Sequence, residues 1–258
     1  MTEETLEKRM TFGEHLDDLR WCLIKAIIGI VLCVTVAMFF QRPLMWVVRA
    51  PHRYAFPATA QQDSRLVAFS YQVPFIVHFK VALIFGLLAS SPWVVFQLWS
   101  FVSAGLFPRE RRHATRYGFI SFALFLAGVA FGYFLLIPYA LWFLAGLSKF
   151  YEVSLVPDID AYVSLVLTMT ILVGVVFQLP LVMLFTVRLG LATAKTFSSK
   201  RRYAILLAFI VGGLLTPPDP ITQPMLAIPL ILLFELGILL AKVSGPAASK
   251  AVRTQSDR

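Results

Sequence analysis

The sequence predicts an all-α polytopic membrane protein with six transmembrane helices and both termini in the cytoplasm. Three observations carry this. First, 59% of the 258 residues are hydrophobic and only 14% are charged, against about 45–50% and about 25% in soluble domains. Second, the apolar residues gather in runs, and about 20 such residues in a helix cross a bilayer core. Third, Lys and Arg fall unevenly between the connections. With the N-terminus inside, residues 1–20, 99–116, 188–202 and 242–258 carry 16 basic residues together. The opposite connections, 41–74, 138–161 and 216–224, carry 5. Basic residues mark cytoplasmic loops.

The elements follow in order. Residues 1–20 mix Glu3, Glu4, Glu7, Glu14, Asp17 and Asp18 with Lys8, Arg9 and Arg20. A cleavable signal peptide starts basic and turns apolar sooner, so the first span is expected to be retained. Leu16, Leu19 and Leu23 recur at helical spacing, which predicts an amphipathic lead-in to span one. The spans are read at about Trp21–Phe40, Phe75–Leu98, Tyr117–Ile137, Tyr162–Val187, Tyr203–Leu215 and Met225–Ala241. The fifth run is short, about 20 Å of helix, and the sixth is near the lower limit of about 17 residues. Two short spans, or a re-entrant hairpin, fit this region. Far-side residues 41–74 hold Pro43, Pro51, Pro57 and Pro74, and "TPPDPITQP" has four prolines in nine residues. Proline lacks an amide donor, so that last turn is stiff. No internal repeat or linker appears. One six-span membrane domain over 1–258 is expected, with 1–20 as lead-in and 243–258 as a polar cytoplasmic tail.

Composition also excludes functions. The formal charge of +9 is accounted for by cytoplasmic loops, and no basic groove interleaved with aromatics suggests nucleic acid. Cys22 and Cys33 lie about 16 Å apart along one helix, too far for a disulfide. There is no phosphate-binding loop, no H-E-x-x-H and no G-x-S-x-G. No enzyme, metal or cofactor is therefore expected. "GVAFG" (128–132) is a G-x-x-x-G that would let helix three approach a neighbour closely.

Ionisable groups within spans are the first functional candidates. Lys25 and Lys80 lie near span ends, where snorkelling explains them. Glu235 is deeper and is expected to face the interior against a basic partner. Gln178 precedes Pro180 in span four. Two readings stand for it: an interhelical hydrogen bond or a transport role. In "GLFPRERRHA" (105–114), Glu110 sits among Arg109, Arg111 and Arg112. A local salt bridge and a partner-binding carboxylate are both open.

Several motifs then line up. "HLDDLR", "APHRY", "QLWSFVSAGLFPRERR", "FQLP", "KRRYAIL", "LLTPPD", "LAIPL" and "LFELG" occur in this order between about residues 12 and 243. Together they resemble the TatC family, the large subunit of the twin-arginine protein translocase. The resemblance implies a cup-like six-helix bundle in the cytoplasmic (inner) membrane of a bacterium. It implies a receptor for signal peptides with two consecutive arginines, recognised by Glu110 and Asp18 beside Asp17, with Arg20 and Phe101 in the same region. It further implies proton-motive-force-driven export, assembly with small single-span subunits of TatA/TatB type, and self-association in the lipid membrane. Pro51, Gln178, Thr216, Asp219, Gln223 and Glu235 match structural or docking positions. Asp18 stands where the family has Glu, and Gln178 where it often has Glu. A mechanism needing a titrating carboxylate in span four is therefore not expected. The alternative function is a secondary transporter of a small solute, which calls for broken helices and related repeats around a midplane site.

Overall fold

The computed structural model describes residues 12–55, 66–104, 114–152, 156–188, 190–215 and 222–243. They form helices and no extended strand. Five helical stretches are long and apolar enough to cross a membrane: Asp17–Phe39, Val73–Phe101, Tyr117–Ser148, Ile159–Arg188 and Gln223–Val243. A further helix, Arg201–Leu215, has 15 residues, about 22 Å at 1.5 Å per residue. It covers the short fifth apolar run read from the sequence. The last helix runs Thr222–Val243, 22 residues, longer than its apolar run because Gln223 and Pro224 join its first turn. Proline is tolerated there, where no amide donor is needed.

The helices are α1 (Phe12–Phe39), α2 (Gln41–Val48), α3 (Ala50–Ala55), α4 (Val73–Ala104), α5 (Ala114–Phe131), α6 (Ile137–Phe150), α7 (Ile159–Val176), α8 (Leu179–Arg188), α9 (Ala194–Ser199), α10 (Arg201–Leu215) and α11 (Thr222–Val243). One π turn, Gly132–Leu136, joins α5 to α6. The chain forms two compact units, Met1–Phe40 with Ala82–Phe122, and Gln41–Val81 with Ala123–Arg258.

In the first unit, α1 and α4 pack through glycine. A Cβ on Gly29 would come within 2.4 Å of the Trp93 ring, and one on Gly86 within 2.7 Å of the Val34 Cα. The Trp93 indole donates to the Lys25 carbonyl at 3.0 Å. Pro92 lies inside α4 and cannot donate to the Leu88 carbonyl four residues back. The Ser91 hydroxyl takes that acceptor at 2.7 Å. The described part of the lead-in, from Phe12, is one continuous helix with span one.

The second unit has the larger core, in which Leu136, Val173, Ala208, Leu226, Ala227 and Leu230 cluster. The G-x-x-x-G approach is realised here. A Cβ on Gly128 would lie 2.9 Å from the Gly174 Cα, and one on Gly132 3.2 Å from the Met169 carbonyl oxygen. The π turn follows at once. Ile137 donates back five residues to Gly132, and Pro138 has no amide to restore the normal ladder.

Within the far-side segment, residues 41–55 form the short helices α2 and α3 with Pro43 and Pro51 in their first turns. α2 ends with carbonyls that no helical residue can serve, and side chains from three elements take them. The Arg53 guanidinium donates to Trp46 O at 3.0 Å and stacks 4.7 Å over the Trp46 ring. The Tyr133 hydroxyl donates to Val47 O at 2.6 Å, and that of Tyr162 to Val48 O at 2.6 Å. His52 is buried, edge-on to Tyr162 at 5.5 Å between ring centroids. Burial, then the neighbouring Arg49 charge, pushes its pKa down.

The same segment is tied to α7. Val67 pairs with Asp158 in a short parallel bridge, with Val67 N–H donating to Pro157 O and Ile159 N–H to Val67 O. Asp158 caps α7 by accepting from the amides of Asp160 and Ala161. Lys80 does not snorkel freely. Its ammonium lies 2.6 Å from Asp160 Oδ1 and donates to Ser164 Oγ at 2.7 Å. A carboxylate one turn away on a packed neighbour outcompetes the interface. Lys25 is exposed, as snorkelling requires.

Candidate functional site

The contacts between α1 and α4 fix a register. Lys25 meets Trp93, Gly29 meets Trp93, and Val34 meets Gly86. The helices therefore run antiparallel with paired residue numbers summing to about 120. Each residue rises about 1.5 Å, so Asp18 falls level with the last turns of α4, near Phe101. Asp17, Leu19 and Arg20 are exposed, and Asp18 and Phe101 are half-buried. The more sheltered of the two acids thus stands where the family's acid matched in the sequence. These four candidates, Asp17, Asp18, Arg20 and Phe101, share one end of one unit.

Glu110 lies outside the described residues. The helix ends that carry its segment do not. Trp99 of α4 is buried and packs on Tyr117 of α5 at 6.0 Å between ring centroids. A Cβ on Gly118 would touch the same indole at 3.5 Å. Trp99 thus holds the end of α4 against the start of α5. Sequence reading passed over Trp99, Tyr117 and Gly118. Their signal was a large aromatic matched by a glycine across a short connection.

Chemically, this end can receive cations. A carboxylate sheltered from water takes a guanidinium through parallel, charge-assisted hydrogen bonds. Among the described residues no cluster of His, Cys, Asp and Glu could hold a metal ion.

The remaining candidates lie in the other unit. Pro51 is buried in α3, in the first turn. Gln178 is half-buried in the two-residue break between α7 and α8. Its carbonyl accepts from Leu181 and Val182, which restarts the helix past Pro180. Gln223 turns inward. Its amide donates to the Phe209 carbonyl at 2.9 Å, and it lies close to Gly212 and Gly213 of α10, where a Cβ would come within 3.1 and 3.0 Å of it. Glu235 has the expected basic partner. That partner is Arg201, bound through two parallel contacts of 2.8 Å. The pair is not interior, because its side chains are 49% and 42% exposed. Thr216 and Asp219 lie outside the described residues.

Similarity to known proteins agrees with this geometry. Residues 14–229 match the family model "Sec-independent protein translocase protein (TatC)". The TatC of Desulforapulum autotrophicum is 33% identical over 239 residues, 93% of this chain and 87% of that protein. TatCy of Bacillus subtilis is 31% identical over 249 residues, 96% of this chain and 95% of that protein. A crystal structure of the "Twin Arginine Translocase Receptor- TatC" superposes with a TM-score of 0.79 at 31% identity, covering 90% of this chain and 99% of that one. The chain belongs to the TatC family, the Sec-independent protein translocase components of the bacterial inner membrane.

Proposed function

We propose that this chain is the subunit that binds twin-arginine signal peptides of folded cargo at the cytoplasmic face. The observation that carries this reading is the antiparallel register of α1 and α4. It sets half-buried Asp18 level with the helix end that continues toward Glu110. A sheltered carboxylate such as Asp18 suits a guanidinium group. Phe101 offers an apolar surface to the residues that follow the arginine pair. A solved relative described as a twin-arginine translocase receptor supports the same role.

Small single-span subunits dock along the α10 and α11 edge in this proposal. α10 is too short to cross a full-thickness core, and mismatch costs fall when short helices sit together. Gln223 contributes by fixing α11 on α10, with Thr216 and Asp219 beside it in the sequence. Pro51, Gln178 and Glu235 hold the surrounding helices in place. Several copies assemble in the lipid membrane, and the proton-motive force drives export.

Site-specific photocrosslinking of a twin-arginine signal peptide to the chain in membranes tests the reading. Glu110→Gln and the Asp17→Asn/Asp18→Asn double variant are each expected to weaken contact about ten- to a hundredfold, the value of about 1.5–3 kcal/mol for a sheltered charged hydrogen bond. Unchanged crosslinking in both overturns it. Gln223→Leu is expected to weaken co-purification of a small subunit and to spare the signal-peptide contact.

A further inference from the structure

A second candidate binding site lies at the opposite membrane boundary. A cleft of about 350 Å³ opens between the start of α2 and the start of α4, lined by Gln41, Arg42, Met45, Pro74 and His78. All five residues belong to the second unit. Gln41 closes one wall by donating from Nε2 to the His78 carbonyl at 3.0 Å. Met45 and Pro74 give an apolar lining. Among the described residues, no carboxylate lines the cleft.

The charged groups here are not used by the fold. Elsewhere on this side, cations have work. Lys80 holds Asp160, and Arg53 holds Trp46. Arg42 and His78 are exposed, and among the described residues neither side chain makes a hydrogen bond or ion pair. A guanidinium and an imidazole at one apolar-lined cleft, without a counter-ion, complement an anion.

Position selects which anion. One candidate span ends at Phe39, two residues before Gln41, and another begins at Val73, one residue before Pro74. The cleft is therefore level with the lipid headgroups of the far leaflet. Tyr71, Phe75, Phe79 and Trp46 are exposed around it, the aromatic pattern of a membrane interface. Pro74 and His78 are four residues apart on α4, and Phe75 and Phe79 occupy the adjoining stripe. An acyl chain can descend along those rings. The volume is at the lower end of the roughly 300–1,000 Å³ typical of ligand pockets, enough for a headgroup and not for a whole lipid.

We infer that this cleft binds the phosphate of an anionic phospholipid, with phosphatidylglycerol chemistry, in the far leaflet. Arg42 contacts the phosphodiester oxygens, His78 hydrogen-bonds the phosphate or a glycerol hydroxyl, and Phe75 and Phe79 support the chain. A zwitterionic ethanolamine headgroup is disfavoured, because its ammonium meets the Arg42 guanidinium and, among the described residues, no carboxylate.

The test is native mass spectrometry of the full chain, relipidated with equal amounts of phosphatidylglycerol, phosphatidylethanolamine and phosphatidylcholine. The wild type is expected to retain phosphatidylglycerol preferentially. Arg42→Gln/His78→Gln is expected to lose retention by at least about fivefold, the scale set by one basic residue at an anionic surface. Arg42→Lys should keep most of it, and Lys242→Gln, on the cytoplasmic side, all of it. Equal retention of the three lipids by the wild type, or unchanged retention in the double variant, overturns the inference. So does displacement of the lipid by millimolar inorganic phosphate, which would assign the cleft to a soluble anion. The altered side chains are exposed, and an unchanged melting temperature confirms that each variant is folded.

Discussion

Helices α1 and α11 are both long enough to span a bilayer, yet they are held differently. Only 6% of the apolar window of α1 is buried within the chain, against 39% for α11. α11 touches α8 where a Cβ on Gly237 would meet the Met183 sulfur at 2.6 Å. It touches α10 through Gln223 and Arg201. α1 relies on Gly29, Gly86 and the Trp93 indole. In water such an exposed apolar helix would not be stable. In lipid, backbone hydrogen bonds within the helix suffice to keep it formed. The few contacts of α1 therefore decide where it sits, not whether it exists. That distinction matters because α1 carries Asp17 and Asp18.

The largest effect expected is at Gly86. A Leu there would press on the Val34 backbone, which cannot rotate away as a side chain can. Overpacking of this kind costs about 1–3 kcal/mol, occasionally more. Gly86→Leu should shift α1 and lower thiol crosslinking between Arg20→Cys and Phe101→Cys severalfold, while circular dichroism keeps the helix content. Unchanged crosslinking would break the contrast drawn between α1 and α11.

Next comes Tyr162→Phe in the second unit. It leaves the Val48 carbonyl without its side-chain donor in a buried setting. An orphaned buried acceptor costs about 1–3 kcal/mol, read as a lower melting temperature in detergent. Tyr133→Phe should cost less, because Tyr133 is only half-buried.

A smaller effect is expected from pH. The folded chain holds the His52 pKa below its ordinary value of 6.5, so the unfolded chain binds the proton more readily. The stability tied to neutral His52 is whole above about pH 6.5 and is lost as pH falls through the depressed value. The melting temperature of the wild type should therefore drop more than that of His52→Phe between pH 7.5 and pH 5. Equal drops would remove His52 from the account.

The smallest effect is expected at Glu235→Gln. Its partner contact is well aligned, but both side chains are more than a third exposed. Exposed pairs contribute about 0.2–1 kcal/mol, and added salt should shrink the difference further. A loss above about 2 kcal/mol would mean that the pair locks α10 to α11 more firmly than its exposure allows.

Much of this architecture was legible in the sequence, for reasons that differ by element. The long spans announce themselves because roughly 20 apolar residues have few uses outside a bilayer. The Gly128 approach was legible because two glycines four apart share a helix face. α2 and α3 were not. Pro43 and Pro51 each fall in a first turn, where proline's missing amide is harmless, but no periodicity around them marks a helix. The π turn at Gly132 packs against Met169, a contact that no local pattern reveals. Lys80 with Asp160 and Glu235 with Arg201 join residues 80 and 34 apart, and periodicity carries no information at such separations. Asp18 stood out through family resemblance. Its neighbourhood with Phe101 became physical only once Trp93 and Gly29 set the register.

The carbonyls at the end of α2 impose an order in time. Val47 and Val48 are completed by Tyr133 and Tyr162, which lie 86 and 114 residues further along the chain. Ribosomes add about 5–20 residues per second, so the nascent far-side segment waits roughly 6–23 s for its second tyrosine. During that interval α2 must be sheltered by water, lipid headgroups or an insertion factor. Closure of this cap therefore reports that span four has arrived, and a chain stalled before Tyr162 would expose an unfinished helix end to the quality-control proteases of the far side.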